Sequence, residues 1–165
     1  MSSKPPEESG KPSMARQASA PALQLDVESF RLILAERLPF AETMGINVDY
    51  FADDHVRLRA VYNDRFLRPG GTIAGPVMMG LADAALYALV LSRIGAVELA
   101  VTTSLSINFL RKPMPADLVA DARMLKLGKR LAVGEVTLFS EELGADDPVA
   151  HVTGTYSIPP PESRL

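Results

Sequence analysis

The chain of 165 residues has no cysteine and no tryptophan, and only 6% of it is aromatic. Without a thiol there is no disulfide, no thiolate nucleophile and no cysteine-ligated metal. The two histidines, His55 and His151, have no second histidine or cysteine at ligand spacing, so neither is assigned a catalytic or metal-binding role. Charge of one sign is scarce as well. With 17 basic and 20 acidic side chains the net charge is -3, which gives no general attraction to nucleic acid or to an anionic membrane. The longest apolar stretch, Val77 to Leu91, falls short of the ~20 residues that a bilayer crossing needs, and it contains Asp83. A charged-then-apolar leader is missing from the start of the chain, so a cytoplasmic protein is expected. Walker loop, dinucleotide fingerprint and nucleophile elbow are all absent. The chemistry expected of such a chain uses neither a metal nor a bound cofactor.

Residues 1 to 22 are rich in serine and proline (Pro5, Pro6, Pro12, Pro21) and hold little to bury, so they read as a disordered tail. Residues 23 to 165 are the right length for one domain with a real core. Order is expected from Asp26, a helix N-cap followed by Val27, Phe30, Ile33, Leu34 and Leu38 at three-and-four spacing and stopped by Pro39. From Gly45 the period becomes two. Ile46, Val48 and Tyr50 share one side, and Val56, Leu58 and Ala60 then alternate with Arg57 and Arg59, a hairpin turning near Asp53-Asp54.

Arg68-Pro69-Gly70-Gly71-Thr72 is loop chemistry, and Gly75-Pro76 starts a helix that runs to about Ile94 and is capped by Gly95. This helix is apolar nearly all round, which demands enclosure by a wrapped sheet or a partner chain. Strand-like runs follow at Val97 to Leu110, Leu118 to Leu127, Leu131 to Ser140 and Val149 to Ile158. Turn chemistry separates them, so they are expected to form an antiparallel meander. No strand-helix alternation implies a parallel sheet; the class is α+β, a curved antiparallel sheet around a long central helix.

The segment Arg68-Pro-Gly-Gly-Thr-Ile-Ala-Gly-Pro-Val-Met-Met-Gly-Leu-Ala-Asp83 resembles the signature of the phenylacetic-acid-degradation type of hotdog thioesterases, and Ile107-Asn108-Phe109-Leu110-Arg111-Lys112-Pro113 resembles it too. The similarity spans roughly residues 40 to 158. It implies a hotdog fold, hydrolysis of an aryl- or medium-chain acyl-CoA, a backbone N–H at Gly75 that polarises the thioester carbonyl, and an acidic residue at Asp83 that drives the reaction. Coenzyme A is then part of the substrate. Three positions depart from the family pattern: Arg68 stands for its usual Asn, Ala74 for its usual His, and Pro76 for its second glycine. Pro76 removes an amide donor and leaves Gly75 and Val77 as candidates for an oxyanion hole. Arg68 is left to contact either the carbonyl or a CoA phosphate.

The residues carry a reading of their own. A carboxylate among Met78, Met79, Leu81, Leu86 and Leu89 must be protonated, hydrogen-bonded or open to a pocket, and an open pocket suits a general base. The bland alternative is that Asp83 only fixes helix register. Gly75 and Asp83 are eight residues apart, roughly 12 Å along one helix, so they cannot touch the same carbonyl. A composite site, with Gly75 from one chain and Asp83 from a two-fold mate, removes the conflict and makes a homodimer, with a tetramer as a further stage, the expected assembly. Thr103 and Ser106 are candidates to orient water or acyl group, and Met78, Met79, Leu86 and Tyr87 to line an acyl pocket. Arg111, Lys112, Lys126, Lys129 and Arg130 are candidates for the CoA phosphates. A binding protein of the same fold without turnover is the competing reading.

Overall fold

The computed structural model describes residues 23–163. The tail expected at residues 1 to 22 lies outside them. In chain order the elements are α1 (Val27–Arg37), α2 (Pro39–Thr43), β1 (Ile46–Phe51), β2 (His55–Ala60), the short strands β3 (Leu67–Arg68) and β4 (Thr72–Ile73), α3 (Gly75–Ile94), β5 (Val101–Phe109), β6 (Leu118–Leu127), β7 (Leu131–Ser140) and β8 (Ala150–Ser157). Asp26 caps α1 as its position suggests, accepting from the Ser29 N–H at 2.8 Å. Pro39 ends α1 and also opens α2, a turn of helix that the sequence reading did not separate. Gly95, at φ 82°, closes α3 with its N–H on the Leu91 carbonyl at 2.9 Å.

Six strands form one antiparallel sheet in the order β1-β2-β6-β7-β8-β5. The expected meander is therefore only partly right. β6, β7 and β8 run as a meander, but β5 lies beyond β8 at the edge and β2 closes against β6. The physical reason is α3, which spans the concave face between β4 and β5 and delivers the chain to the far edge of the sheet. The Arg-Lys-Pro segment is accordingly part of a crossover from β5 to β6, not a hairpin turn. A second correction concerns Tyr50. A bulge between Val48 and Tyr50 shifts the register, so Tyr50 leaves the face of Val48 and is 49% exposed.

Half of α3, ten of its 20 residues, is buried. Leu81, Ala82, Ala85, Leu86 and Leu89 press on Val56, Leu58, Ala120, Ala122, Val136, Leu138 and Val152 of the sheet. That enclosure identifies α3 as a core helix, although at 20 residues it is long and apolar enough to cross a membrane. Helix and sheet approach closely at Gly134 and Gly154, cross-strand partners on β7 and β8. A Cβ on Gly134 would lie 2.8 Å from Leu86 Cδ2, and one on Gly154 would overlap the same side chain. Leu86 is thus locked into the core and does not line an acyl pocket. The antiparallel hotdog architecture expected from the sequence is present, with β5 at an edge that has no strand beyond it among the described residues. Val101 and Phe109, at the two ends of that strand, are 57% and 52% exposed.

Candidate active site

Two of the clefts along α3 hold the expected site residues Gly75 and Asp83, one at its N-terminus and one by its middle. The first, of about 330 Å³, is lined by Arg68, Thr72, Gly75, Met78, Phe109, Arg111 and Lys112. Ala74 precedes the helix in extended conformation, at φ -71° and ψ 144°, so the Gly75 N–H is the first of the helix and lacks an intrahelical acceptor. No acceptor among the described residues takes it. Pro76 has no N–H, and the Val77 N–H, an expected second donor, is spent on the Ala74 carbonyl at 3.1 Å. A single amide therefore remains at the positive end of a long helix dipole. Gly75 is closely packed here: a Cβ would meet Phe109 Cζ at 3.1 Å and push on the ring, so Phe109 walls the amide.

The rim of this cleft is basic. Arg111 is paired with Asp147 at 2.6 Å, whereas neither Arg68 nor Lys112 makes an ion pair among the described residues. The two walls are tied together by Thr72, whose hydroxyl donates to the Pro113 carbonyl at 3.1 Å. Arg68, Arg111, Lys112 and Gly75 are thus brought to one place. Lys129 and Arg130 are not in it; they line a different cleft with Ile94 and Pro160 at the C-terminal end of α3. Lys126 is exposed near the end of β6 and lines neither cleft. The two basic groups that the sequence offers for the CoA phosphates thus lie at separate places in the protomer.

The second cleft, of about 300 Å³, holds Asp83 among Leu38, Phe40, Ile46, Gly80, Ala84, Tyr87, Thr102 and Tyr156. Its walls come from α2, α3, β1, β5 and β8, and most of the lining is apolar. Asp83 Oδ1 accepts from Thr102 Oγ1 at 2.6 Å and from the Tyr156 hydroxyl at 2.8 Å, while Oδ2 has no hydrogen bond among the described residues. Burial, and then the charge of Asp83, push the Tyr156 phenol above its ordinary ionisation range. Tyr156 therefore stays neutral and donates. Tyr87, half-buried beside it with ring centroids 6.3 Å apart, donates to the Glu98 carbonyl at 3.2 Å.

These hydroxyl partners of Asp83 were not found in the sequence. Thr103 and Ser106, the hydroxyls expected to orient water or acyl group, are not in this cleft: Thr103 donates to the Thr155 carbonyl at 3.1 Å and both are exposed. The cause is a bulge in β5. The register passes from Thr102 opposite Tyr156 directly to Ser104 opposite Thr155, so Thr102 takes the inward position that strict alternation would give to Thr103. Tyr156 did carry a signal: with Val152 and Gly154 it alternates on the inward face, and an inward phenol needs a partner. Of the expected acyl-pocket residues, Tyr87 lines the Asp83 cleft, Met78 the Gly75 cleft, and Met79 is 41% exposed. The histidines are held by carboxylates on the sheet, His55 by Asp121 at 2.8 Å and His151 by Glu135 at 3.3 Å. Among the described residues no group of acidic or histidine side chains is placed to hold a metal.

Comparison with known proteins identifies the family and the fold. The model of a family described as the thioesterase superfamily matches residues 70–145. The crystal structure of "a putative thioesterase" from Silicibacter sp. TM1040 is 46% identical, covers 85% of this chain and 96% of its own, and superposes with a TM-score of 0.76. A mutant of the phenylacetic acid degradation protein PaaI from Thermus thermophilus is 27% identical, covering 72% of this chain and 97% of its own, with a TM-score of 0.64. A "putative esterase" of Saccharolobus solfataricus is 28% identical over 116 residues, 70% of this chain and 74% of the relative.

Proposed function

Because the chain belongs to the thioesterase superfamily and is a thioester hydrolase of the hotdog fold, we propose that it hydrolyses an aryl- or medium-chain acyl-CoA in the cytoplasm, at a site shared between two copies of the chain. The observation that carries the reading is the pairing of an unclaimed amide, Gly75 N–H, with a carboxylate oxygen, Asp83 Oδ2, that is equally unclaimed on the same helix. Eight residues of helix separate them by roughly 12 Å, too far for one carbonyl.

The edge strand supplies the solution. Phe109 at one end of β5 walls Gly75, and Thr102 at the other end holds Asp83. If β5 pairs antiparallel with β5 of a second copy, the dyad sets the Gly75 end of one chain against the Asp83 end of the other. The same operation covers Val101 and Phe109 and removes an open sheet edge. Two sites arise per dimer. It also carries Lys129 and Arg130 of one copy toward the end of the sheet where Arg68, Arg111 and Lys112 of the other lie, which gives the CoA phosphates basic groups from both chains.

In the reaction the thioester oxygen takes the hydrogen bond of Gly75, where the helix dipole and the neighbouring Arg68 stabilise the charge that develops on it. Asp83 works from the other face of the carbonyl by one of two routes. Either the carboxylate takes a proton from water as its oxygen adds to the carbonyl carbon, and the tetrahedral intermediate then expels the CoA thiolate, which picks up that proton. Or the carboxylate oxygen itself adds, the thiolate leaves, and water cleaves the resulting anhydride.

The test is thiol release from a panel of aryl- and alkyl-CoA thioesters by the wild type, Asp83→Ala and Asp83→Asn. Loss in both variants with the dimer intact supports the assignment. A wild type that binds the esters without turning them over defeats it and leaves the reading as an acyl-CoA-binding protein.

A further inference from the structure

We propose that Tyr156 is a positioning residue for Asp83: together with Thr102 it immobilises Oδ1 and so makes Oδ2 the oxygen that acts on the thioester. The inference rests on the reading of Asp83 as the reactive carboxylate. Tyr156 is 3% exposed, and its hydroxyl lies 2.8 Å from Asp83 Oδ1 and 3.0 Å from the Asp83 backbone carbonyl. Thr102, its cross-strand partner, lies 2.6 Å from the same Oδ1. The single Tyr156 proton favours the shorter contact to the charged Oδ1 over the backbone carbonyl, and with Thr102 it then takes up both acceptor directions of Oδ1, which leaves that oxygen no free lone pair for water or carbonyl. Oδ2 keeps both of its acceptor directions.

The arrangement also fixes the carboxylate plane. An aspartate on a helix that borders an apolar cleft can rotate about its side-chain bonds, and a group that must meet a carbonyl within tenths of an ångström loses rate with every alternative orientation. Tyr156 and Thr102 remove that freedom from two strands, β8 and β5, that are separate from the helix carrying Asp83. The bulge at Thr102 is part of the device, since without it Thr102 would point away from Asp83. The Tyr156 phenol, kept from ionising by burial and by the adjacent carboxylate, can only donate in this pair.

The experiment compares kcat and KM for the full-length wild type, Tyr156→Phe, Thr102→Val and Thr102→Ser, each also in the Asp83→Ala background, with one acyl-CoA from the active panel. Losing one hydrogen bond to a charged group is expected to lower kcat roughly 10- to 100-fold in Tyr156→Phe and Thr102→Val, with KM little changed. Thr102→Ser, which keeps the hydroxyl, stays near the wild type. On the residual turnover of Asp83→Ala, Tyr156→Phe makes no further difference, because its effect passes through the missing carboxylate. Wild-type kcat in Tyr156→Phe, a loss confined to KM, or the same fractional loss with and without Asp83 would each overturn the inference. Should Tyr156→Phe fail to fold, the contrast between Thr102→Val and Thr102→Ser decides. Full turnover by Asp83→Ala defeats the proposed function itself, whereas loss there alongside unaffected Tyr156 and Thr102 variants defeats only this inference.

Discussion

Replacing Gly75 by proline deletes one N–H, while placing a Cβ on a helical residue directly ahead of Pro76, a strain that an alanine there shares. Ala74 already has ψ 144°, the extended conformation that a following proline requires, and the first position of a helix tolerates proline because its N–H has no intrahelical partner. The new Cβ would approach Phe109 Cζ at 3.1 Å, so the ring must move by a few tenths of an ångström. Gly75→Ala adds the same Cβ and keeps the N–H, which makes it the control for that displacement. With Pro76 lacking a donor and Val77 spent on Ala74, no neighbouring amide takes over. The expected loss in kcat between the two variants is therefore that of a whole oxyanion donor, about 100- to 1,000-fold or ~3–4 kcal/mol. Steady-state thiol release measures it, with thermal unfolding run alongside to show that both variants are folded. A Gly75→Pro enzyme whose kcat stays within a few-fold of Gly75→Ala would refute the role of this amide.

Mixing inactive Gly75→Pro with inactive Asp83→Ala, dissociated and reassociated, should restore about one quarter of the wild-type sites, since half of the dimers are mixed and each mixed dimer holds one intact pair; no recovery argues for a site within one chain. Gly154→Ala should destabilise the fold by ~1–3 kcal/mol, read as a lower unfolding midpoint, because its Cβ would overlap Leu86; an unchanged midpoint would show the helix-sheet spacing to be slack. Asp121 is subject to burial that raises its pKa, but hydrogen bonds from His55 and Arg57 outweigh it and hold the carboxyl below the ordinary 3.8. Its contribution to stability is therefore present above 3.8 and lost as pH falls through the lower folded value, so Asp121→Asn should flatten the acid limb of unfolding midpoint against pH. Phe40, packed on Gly80 at the wall of the Asp83 cleft, should restrict the acyl group; Phe40→Ala is expected to shift the preferred chain toward bulkier esters, and an unaltered panel profile would remove it from the cleft wall.

The sequence by itself determined the two long helices, the strands of the main sheet and the two residues at the centre of the proposed site, but not α2 or the short strands β3 and β4. Asp26, Pro39, Gly75-Pro76 and Gly95 mark helix ends by backbone constraints that act locally, and the period-two runs mark strands because alternation reflects burial on one face of a sheet. An apolar helix interrupted by one carboxylate is likewise visible in one dimension. Sheet order is different. β5 beside β8 and β2 beside β6 follow from where α3 carries the chain, and the same local pattern fits a plain meander equally well. The contact of Thr102 with Asp83 depended on a one-residue bulge that turns Thr102 inward where strict alternation would turn Thr103, a slip that reverses the facing of a strand without changing its composition. The loss of Val77 as a donor, the separation of Lys129 and Arg130 from Arg111 and Lys112, and the capture of Leu86 by Gly134 and Gly154 were also decided by tertiary packing. Each depends on distances between segments remote in sequence, which residue type and spacing do not encode.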